Sequence, residues 1–384
     1  MKKWLTVVVP SYNAEKYLKH NLDSLCLAEV LEDLEIIAVD DGSTDTTGKI
    51  IDEYAEKYPD TVVPVHKENG GHGSGINAGI KNATGKYFRV MDADDWADGE
   101  DLKELIKYIK NQETEERYNG RTQGIDECSC VRVSLRSDEE PESLGYDEKS
   151  CETDTSLENT EADIIAGGFY WVYGHDDTAP KKTEFDKPFE GVQYGHVYRF
   201  DDIAEKAYIK MHSMTIRTEI LKKQDIKIDE HCYYVDTEYI LYPIPYVETV
   251  VFLDDHLYRY SISREGQSMS PQQMMKNKVQ YDKVLQSLYV FYSKVLEMED
   301  ISDGKRIYIE HLISRVYASR IKILLWDKIC SDTRKELIEM EEGLKKKYPG
   351  IYNSNLNKGV KMLRASGYLL YYPAALIRRF WIKQ

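Results

Sequence analysis

The chain has no run of about 18 consecutive apolar residues, so a membrane-spanning helix is not expected. Positive charge is in short supply. There are 51 Lys and Arg against 67 Asp and Glu, a net charge of −16, and this excludes a general nucleic-acid binder, which needs a basic surface to neutralise phosphates. Paired cysteines are missing. Cys26, Cys128, Cys130, Cys151, Cys232 and Cys330 form no CxxC, and Cys128 with Cys130 lacks a second pair at zinc spacing. Reduced thiols in a cytoplasmic protein are the expectation. The opening MKKWLTVVVPSYN has too short an apolar run for a signal peptide and stops at Pro10, so it reads as a first buried strand.

What is present suits a soluble chain of 384 residues with a sizeable core: 42% of its residues are hydrophobic and 31% charged. Charge is spread unevenly. Residues 112–162 hold 15 acidic and 5 basic side chains, with few apolar anchors, and read as an acidic, disordered insertion. Residues 357–384 hold six basic side chains (Lys358, Lys361, Arg364, Arg378, Arg379, Lys383) and no acidic one.

In the first third, strands alternate with helices. Apolar, β-branched runs at 5–9, 34–39, 61–65 and 87–91 are separated by helical patterns at 14–27, around Ile50, Ile51 and Tyr54, and at 76–82. Such alternation implies a mostly parallel sheet covered on both faces, with ligands bound beyond the carboxyl ends of its strands. Three loops leave those ends: Pro10–Asn13, Asp40–Ser43 and Asp92–Asp95. All three are expected along one rim. Order returns at Asp163–Tyr173, read as a strand, and helical periodicity dominates after Ser270. The expected organisation is therefore 1–110, the insertion 111–162, 163–270, and a helical extension 271–384.

Asp92, Asp94 and Asp95 crowd three carboxylates at a strand end. They form either a solvated acidic turn, with Asp98 or Asp101 starting the next helix, or a seat for a divalent cation that bridges phosphates. VVVPSYNAEKYL at 7–18, VDDGSTD at 39–45 and FRVMDADDW at 88–96 follow one another, each after a strand. Together they resemble the nucleotide-binding half of family 2 glycosyltransferases. The likeness is close over 1–110 and looser over 163–270. It implies an α/β GT-A fold and an inverting transferase that uses a nucleotide sugar and Mn2+ or Mg2+. The expected reaction moves a hexose or N-acetylhexosamine from a UDP-sugar to a hydroxyl of a cell-surface glycan precursor.

The same resemblance assigns roles. Asp92 and Asp94 form the DxD pair, Asp92 near the ribose and Asp94 on the metal, with Asp95 supporting them. Asp40 accepts from the base, and Pro10 and Tyr12 shape the wall on which base and ribose lie; Asp41 and Ser43 close the turn. In ENGGHGSGINAG at 68–79, Asn69, Asn77 and Gly79 match the family pattern, but Ile76 stands where an arginine is usual. His72 or backbone N–H groups of the glycine turn are the candidates to replace it. The spacing of Gly71, Gly73 and Gly75 does not fit a dinucleotide fingerprint.

On the acceptor side, IDEHCYYVDTEYILYP at 228–243 resembles the family's acidic motif and offers Asp236 as general base, with Asp229 and Glu230 behind it. The plain alternative makes Asp236 a helix cap and leaves Glu238 and Glu248 as surface charge. HLYRYSISREGQSMS at 256–270 resembles the segment that closes over the diphosphate, with Arg264 and Ser268 as phosphate donors and Arg259 as a substitute or a partner of the acidic rim. Trp96 is placed near the sugar, whereas His175, His196 and His212 read as structural. The end, KMLRASGYLLYYPAALIRRFWIKQ, is interrupted by Pro373. It is either an interfacial segment for anionic lipid on the inner face of the cell membrane or a last helix packed on the domain. Two other readings stand beside transfer: a degenerate nucleotide-sugar binder or membrane-associated scaffold, kept open by Ile76, and a nucleotidyltransferase, for which PSYNAEKYL lacks a triphosphate loop.

Overall fold

The computed structural model describes residues 2–119, 160–173, 182–186, 189, 191–262, 268 and 270–382. Most of the acidic insertion and Arg264 therefore lie outside the described residues, as does His175. The first third folds as the alternation demands: β1 (Leu5–Ser11), α1 (Leu18–Leu25), β2 (Leu34–Asp40), α2 (Thr47–Lys57), β3 (Val62–His66), α3 (His72–Asn82), β4 (Tyr87–Val90), β5 (Trp96–Ala97) and α4 (Gly99–Asn119). Strands β3, β2, β1 and β4 lie side by side and parallel. β1 and β4 are buried at every position because helices cover both faces.

The sheet continues through the second segment. The run read as one strand at 163–173 is two, β6 (Ile164–Ala166) and β7 (Phe169–Tyr173), broken at the Gly167-Gly168 pair. A Cβ on Gly168 would meet the His256 ring at 2.6 Å, so the chain turns there where a larger residue would not fit. After β8 (Lys182–Asp186) come β9 (Val197–Arg199), α5 (Phe200–Ile203), β10 (Met214–Arg217), α6 (Thr218–Lys223), α7 (Asp236–Leu241), β11 (Thr249–Phe252) and β12 (Tyr258–Ile262). The main sheet has the order β3-β2-β1-β4-β10-β6-β11-β9, and β5-β12-β7-β8 form a smaller sheet. The C-terminal segment is helical: α8 (Pro271–Lys276), α9 (Lys278–Leu296), α10 (Asp303–Trp326), α11 (Ser331–Lys347), α12 (Pro349–Asn353), α13 (Lys358–Ala365) and α14 (Tyr371–Ile382). α9 and α10 bury Leu288, Tyr308, Ile309 and Ile313 in the same core as β10 and β11, so this segment is continuous with the sheet's packing.

The helix after the DxD turn runs to Asn119, and the Asp98 carboxylate caps its start, accepting from Glu100 N at 3.1 Å and Asp101 N at 3.3 Å, as the reading of Asp98 as a helix start expects. Pro373 does not break the tail. It sits in the first turn of α14, where a missing N–H is harmless; the break lies at Gly367 and Tyr368, both at positive φ (56° and 61°).

The glycine-rich segment has a packing purpose. α3 lies directly on β1: a Cβ on Gly75 would meet Pro10 Cβ at 2.7 Å, and one on Gly79 would overlap the buried Val8 side chain. On its other flank α3 holds the acceptor-side loop. Asn77 donates to Ile228 O at 2.8 Å and accepts from Ile228 N at 2.9 Å, and His231 N donates to Gly70 O at 2.5 Å. Overpacking this seam costs stability. Gly79→Ala is expected to lose about 1–3 kcal/mol in urea unfolding. Gly343→Ala, in α11 where an added Cβ meets nothing within 4 Å, is expected to gain about 0.5–1 kcal/mol from helix propensity.

Candidate active site

The rim loops converge as the topology requires. β1 and β2 end in register, Ser11 opposite Asp40, and β4 lies on the other flank of β1, which places the ends of β1, β2 and β4 along one crevice. Tyr12 is exposed at 54%. Asp40 closes its own turn, accepting from Ser43 N at 2.9 Å, with His66 Nδ1 3.3 Å from its second oxygen. Asp41 is buried and engaged on every side: Lys67 Nζ at 2.7 Å, Gly70 N at 2.9 Å, Gly71 N at 2.7 Å and Ser74 Oγ at 3.0 Å. Asn69 donates to Asp41 O at 2.9 Å, so the 69–71 turn is fastened to the loop after β2.

The DxD turn is built from the inside. Asp95 is fully buried, accepting from Tyr258 Oη at 2.6 Å and Ser261 N at 2.7 Å; the same Tyr258 oxygen accepts from Asp92 N at 3.0 Å. Asn21 donates to the carbonyls of Asp92 and Asp95 at 3.1 and 2.8 Å. Burial, and then the nearby Asp92 charge, push the Asp95 carboxyl well above its usual range. This leaves Asp92 and Asp94, both partly exposed, as the carboxylates facing the mouth. Beneath the turn Arg89 is buried, donating to Thr215 Oγ1 at 2.8 Å and to the His212 carbonyl.

His72 links the two sides. Its Nε2 lies 2.8 Å from Asp92 Oδ1 and its Nδ1 3.7 Å from Asp236 Oδ1. Burial pulls the imidazole pKa down, but the Asp92 charge and hydrogen bond, with Asp236 and Asp41 beyond, outweigh it and raise the group to about 9. The Asp236 carboxyl is itself raised, by burial first and by Asp92, against the opposing pull of His72. It stands at the first turn of α7, after His231 and Tyr234 in left-handed backbone (φ 52° and 66°), conformations that strain side-chain-bearing residues and recur at functional sites. Ile76, where an arginine is usual in the family, is fully buried in the core.

Some expectations need correction. Glu238 is not surface charge: it is fully buried, its Oε2 accepting from Asp229 N at 2.8 Å while its Oε1 has no partner among the described residues. Glu248 is surface charge as expected, exposed and paired with Lys305 at 2.5 Å. Arg259 pairs with Asp98 at 2.6 Å, at the foot of α4. Ser268 is exposed, and its carbonyl accepts from Tyr234 Oη at 2.9 Å. His212, which has no metal-like spacing in sequence, is brought to the carboxylates. Among the described residues, donor atoms of Asp92, Asp95 and His212 lie within 4.8 Å of one another. Asp94 stands outside this trio, one residue before Asp95, at the exposed lip.

Residues 6–115 match the family described as Glycosyl transferase family 2. Glycosyltransferase GlyA of Streptococcus pneumoniae is 37% identical over 105 residues, 27% of this chain and 15% of that protein. Minor teichoic acid biosynthesis protein GgaB of Bacillus subtilis is 33% identical over 111 residues, 29% of this chain and 12% of that protein. The chain spans under half the length of these curated relatives. In structure, S. aureus TarS 1–349 in complex with UDP-GlcNAc superposes with a TM-score of 0.59 at 16% identity, covering 99% of this chain and 90% of that one. The fold is of GT-A type. The family match is confined to residues 6–115, under a third of the chain.

The buried Glu238 carries a pH signature. Burial, with the neighbouring Asp229 charge, raises its pKa from 4.5 to about 8, against the opposing hydrogen bond from Asp229 N and the charge of Lys283. A raised acid holds its proton in the folded state while the unfolded chain releases it, so stability falls as pH climbs from 4.5 towards 8. Glu238→Gln removes that cost. Its melting temperature is expected to match the parent near pH 4.5 and to exceed it progressively up to pH 8, by at most a few degrees per kcal/mol recovered.

Proposed function

We propose that the protein is an inverting, metal-dependent glycosyltransferase that moves a hexose or N-acetylhexosamine from a UDP-sugar to a hydroxyl of a cell-surface glycan precursor. The carrying observation is the His72 bridge, which sets a donor-side carboxylate and an acceptor-side carboxylate across one mouth at 2.8 and 3.7 Å from a single imidazole. The family match over 6–115, the relative named for teichoic acid biosynthesis and the fold shared with a UDP-GlcNAc-bound structure support the donor class and the glycan acceptor.

In this reading Pro10 and Tyr12 form the wall against the uridine, Asp40 accepts from the imide N–H of the base, and Asn69 keeps the neighbouring turn in place. Asp92 meets the ribose. Asp236 takes the proton of the attacking hydroxyl as its oxygen bonds to the anomeric carbon and UDP leaves from the opposite face. Its raised pKa makes it a stronger base than an ordinary carboxylate. His72 offsets the repulsion between Asp92 and Asp236 and fixes their separation. Asp94 and Asp92 hold the divalent cation, which when bound supplies positive charge to the departing diphosphate. Arg264 and Ser268 donate to the phosphates from the segment after β12.

Two measurements test this. Asp236→Asn is expected to lower transfer by about 100-fold or more while leaving the UDP-dependent rise in melting temperature intact; retained turnover overturns the assignment. UDP with Mn2+ is expected to stabilise the parent by mass action, by about 2–3 kcal/mol at saturating ligand, more than GDP, CDP or TDP, and not to stabilise Asp94→Ala. Binding without turnover in the parent would instead favour the degenerate-binder reading that Ile76 keeps open.

A further inference from the structure

Far from the rim, α10, α13 and α14 enclose two adjoining hollows. One, of about 450 Å³, lies beside the segment at 204–208 and is lined by Lys206, His311, Arg315 and Lys322, with Glu205 as its one carboxylate. The other, of about 210 Å³, is almost wholly apolar, lined by Ile321, Val360, Met362, Leu363 and Ile377 and edged by Arg378. Ala318, Lys322 and Asn357 line both, so the two hollows are immediate neighbours. The helix explains the shape. Arg315 and Lys322 are seven residues apart on one face of α10, and the small Ala318 and Ser319 between them leave the space.

The chemistry is asymmetric. Arg315 stacks on Tyr208 at 4.3 Å. Among the described residues none of Arg315, Lys322 and Arg378 has a carboxylate partner, unlike Arg320 on the same helix, which binds Asp282 and Glu336. Burial, and then the charges of Arg378 and Arg315, lower the Lys322 pKa, the mark of crowded cations awaiting an anion. Around the apolar hollow, side chains that a soluble surface would normally cover stand in solvent: Leu356 at 65%, Met362 at 60%, Leu369 at 75%, Leu376 at 61% and Ile377 at 59%. A contiguous apolar patch of this kind marks an interaction site. α14 is itself anchored, with Tyr371 and Ala375 fully buried, so Leu376 and Ile377 are held outward. No helix among the described residues is long and apolar enough to cross a membrane.

We propose that this pair of hollows is a binding site for an anionic phospholipid of a membrane surface, its phosphate among Arg315, Lys322 and Arg378 and its acyl chain along the groove between α13 and α14. The joined basic and apolar lining matches an amphiphile and nothing wholly soluble. The site deepens, and rests on, the reading of a transferase working on acceptors at a membrane. It places the contact in a formed cavity on the helical segment and not in diffuse attraction to the basic tail.

The test is flotation of the full chain with vesicles of phosphatidylcholine alone or mixed with phosphatidylglycerol. The parent is expected to float with the mixed vesicles only. Arg315→Gln with Lys322→Gln, and separately Met362→Ser with Ile377→Ser, are each expected to weaken that binding by about 10-fold or more. Lys358→Gln with Arg379→Gln, basic residues that line neither hollow, is expected to weaken it much less. Equal loss in this third pair means diffuse electrostatics and overturns the cavity, as does parent-like binding by the first two. Release by inorganic phosphate at matched ionic strength means a soluble anion and overturns the lipid. A parent that floats with neither vesicle and dimerises through this face by light scattering overturns it in favour of a second copy. In every variant the UDP-dependent thermal shift reports the donor site separately, so failure here is distinct from failure of the transfer reading.

Discussion

Carboxylate crowding at the strand ends is the constraint around which this protein is organised. Asp41, Asp92, Asp94, Asp95 and Asp236 approach one crevice, and like charges so close must be neutralised, buried as acids or matched by donors. Each solution is used at a different place. Asp41 is saturated by Lys67, Ser74 and two backbone N–H groups. Asp95 is pressed into the core under Tyr258. Asp92 and Asp236 share His72. Asp94, between Asp92 and Asp95 in the chain, stays partly exposed.

Tyr258 shows how far the solution reaches. One hydroxyl donates to Asp95 and accepts from the backbone of Asp92, and the residue belongs to β12 in the smaller sheet, paired with Ala97 just after the turn. The smaller sheet is therefore a clamp on the DxD loop. α3 does the equivalent on the other side: its glycines let it lie close on β1 while Asn77 and Gly70 hold the loop that leads to Asp236. The first segment and the second thus meet through this short helix as well as through the β4–β10 and β5–β12 pairings.

The rim is legible in the sequence because each of its loops follows a β-branched run, and parallel strands with helical crossovers leave those loops nowhere else to go. The identity of Asp92, Asp94 and Asp236 as candidates rests on residue type at a strand or helix end, which is local information. What joins them is not local. Tyr258 reaches Asp92 across 166 positions and Asn21 reaches Asp95 across 74, and nothing in either neighbourhood announces it. Glu238 is misread for the same reason: two residues beyond Asp236 and so on the opposite face of α7, it has the look of a solvated acid until α7 is packed against the core. Ile76 teaches the converse. A departure from a family pattern reads as a lost contact, yet the side chain is a core residue, and the polar side chain nearest the rim on the same helix is His72, four positions earlier.

The long helix α4 gives the acidic segment an address. It leaves the DxD turn at Asp98 and runs 21 residues, about 30 Å, carrying Lys110 to Asp33 and Gln112 to Tyr87 at the opposite ends of the strands. The chain comes back at that same edge, where Lys86 holds Glu161 and Tyr87 Oη donates to Ala162 O at 2.6 Å. Departure and return are thus neighbours, stitched together on the side of the sheet that faces away from the crevice. A stretch tethered this way can grow, shrink or be exchanged for a folded module without any rim residue having to move. The architecture has a built-in splice point, at the end of the sheet that carries none of the rim loops.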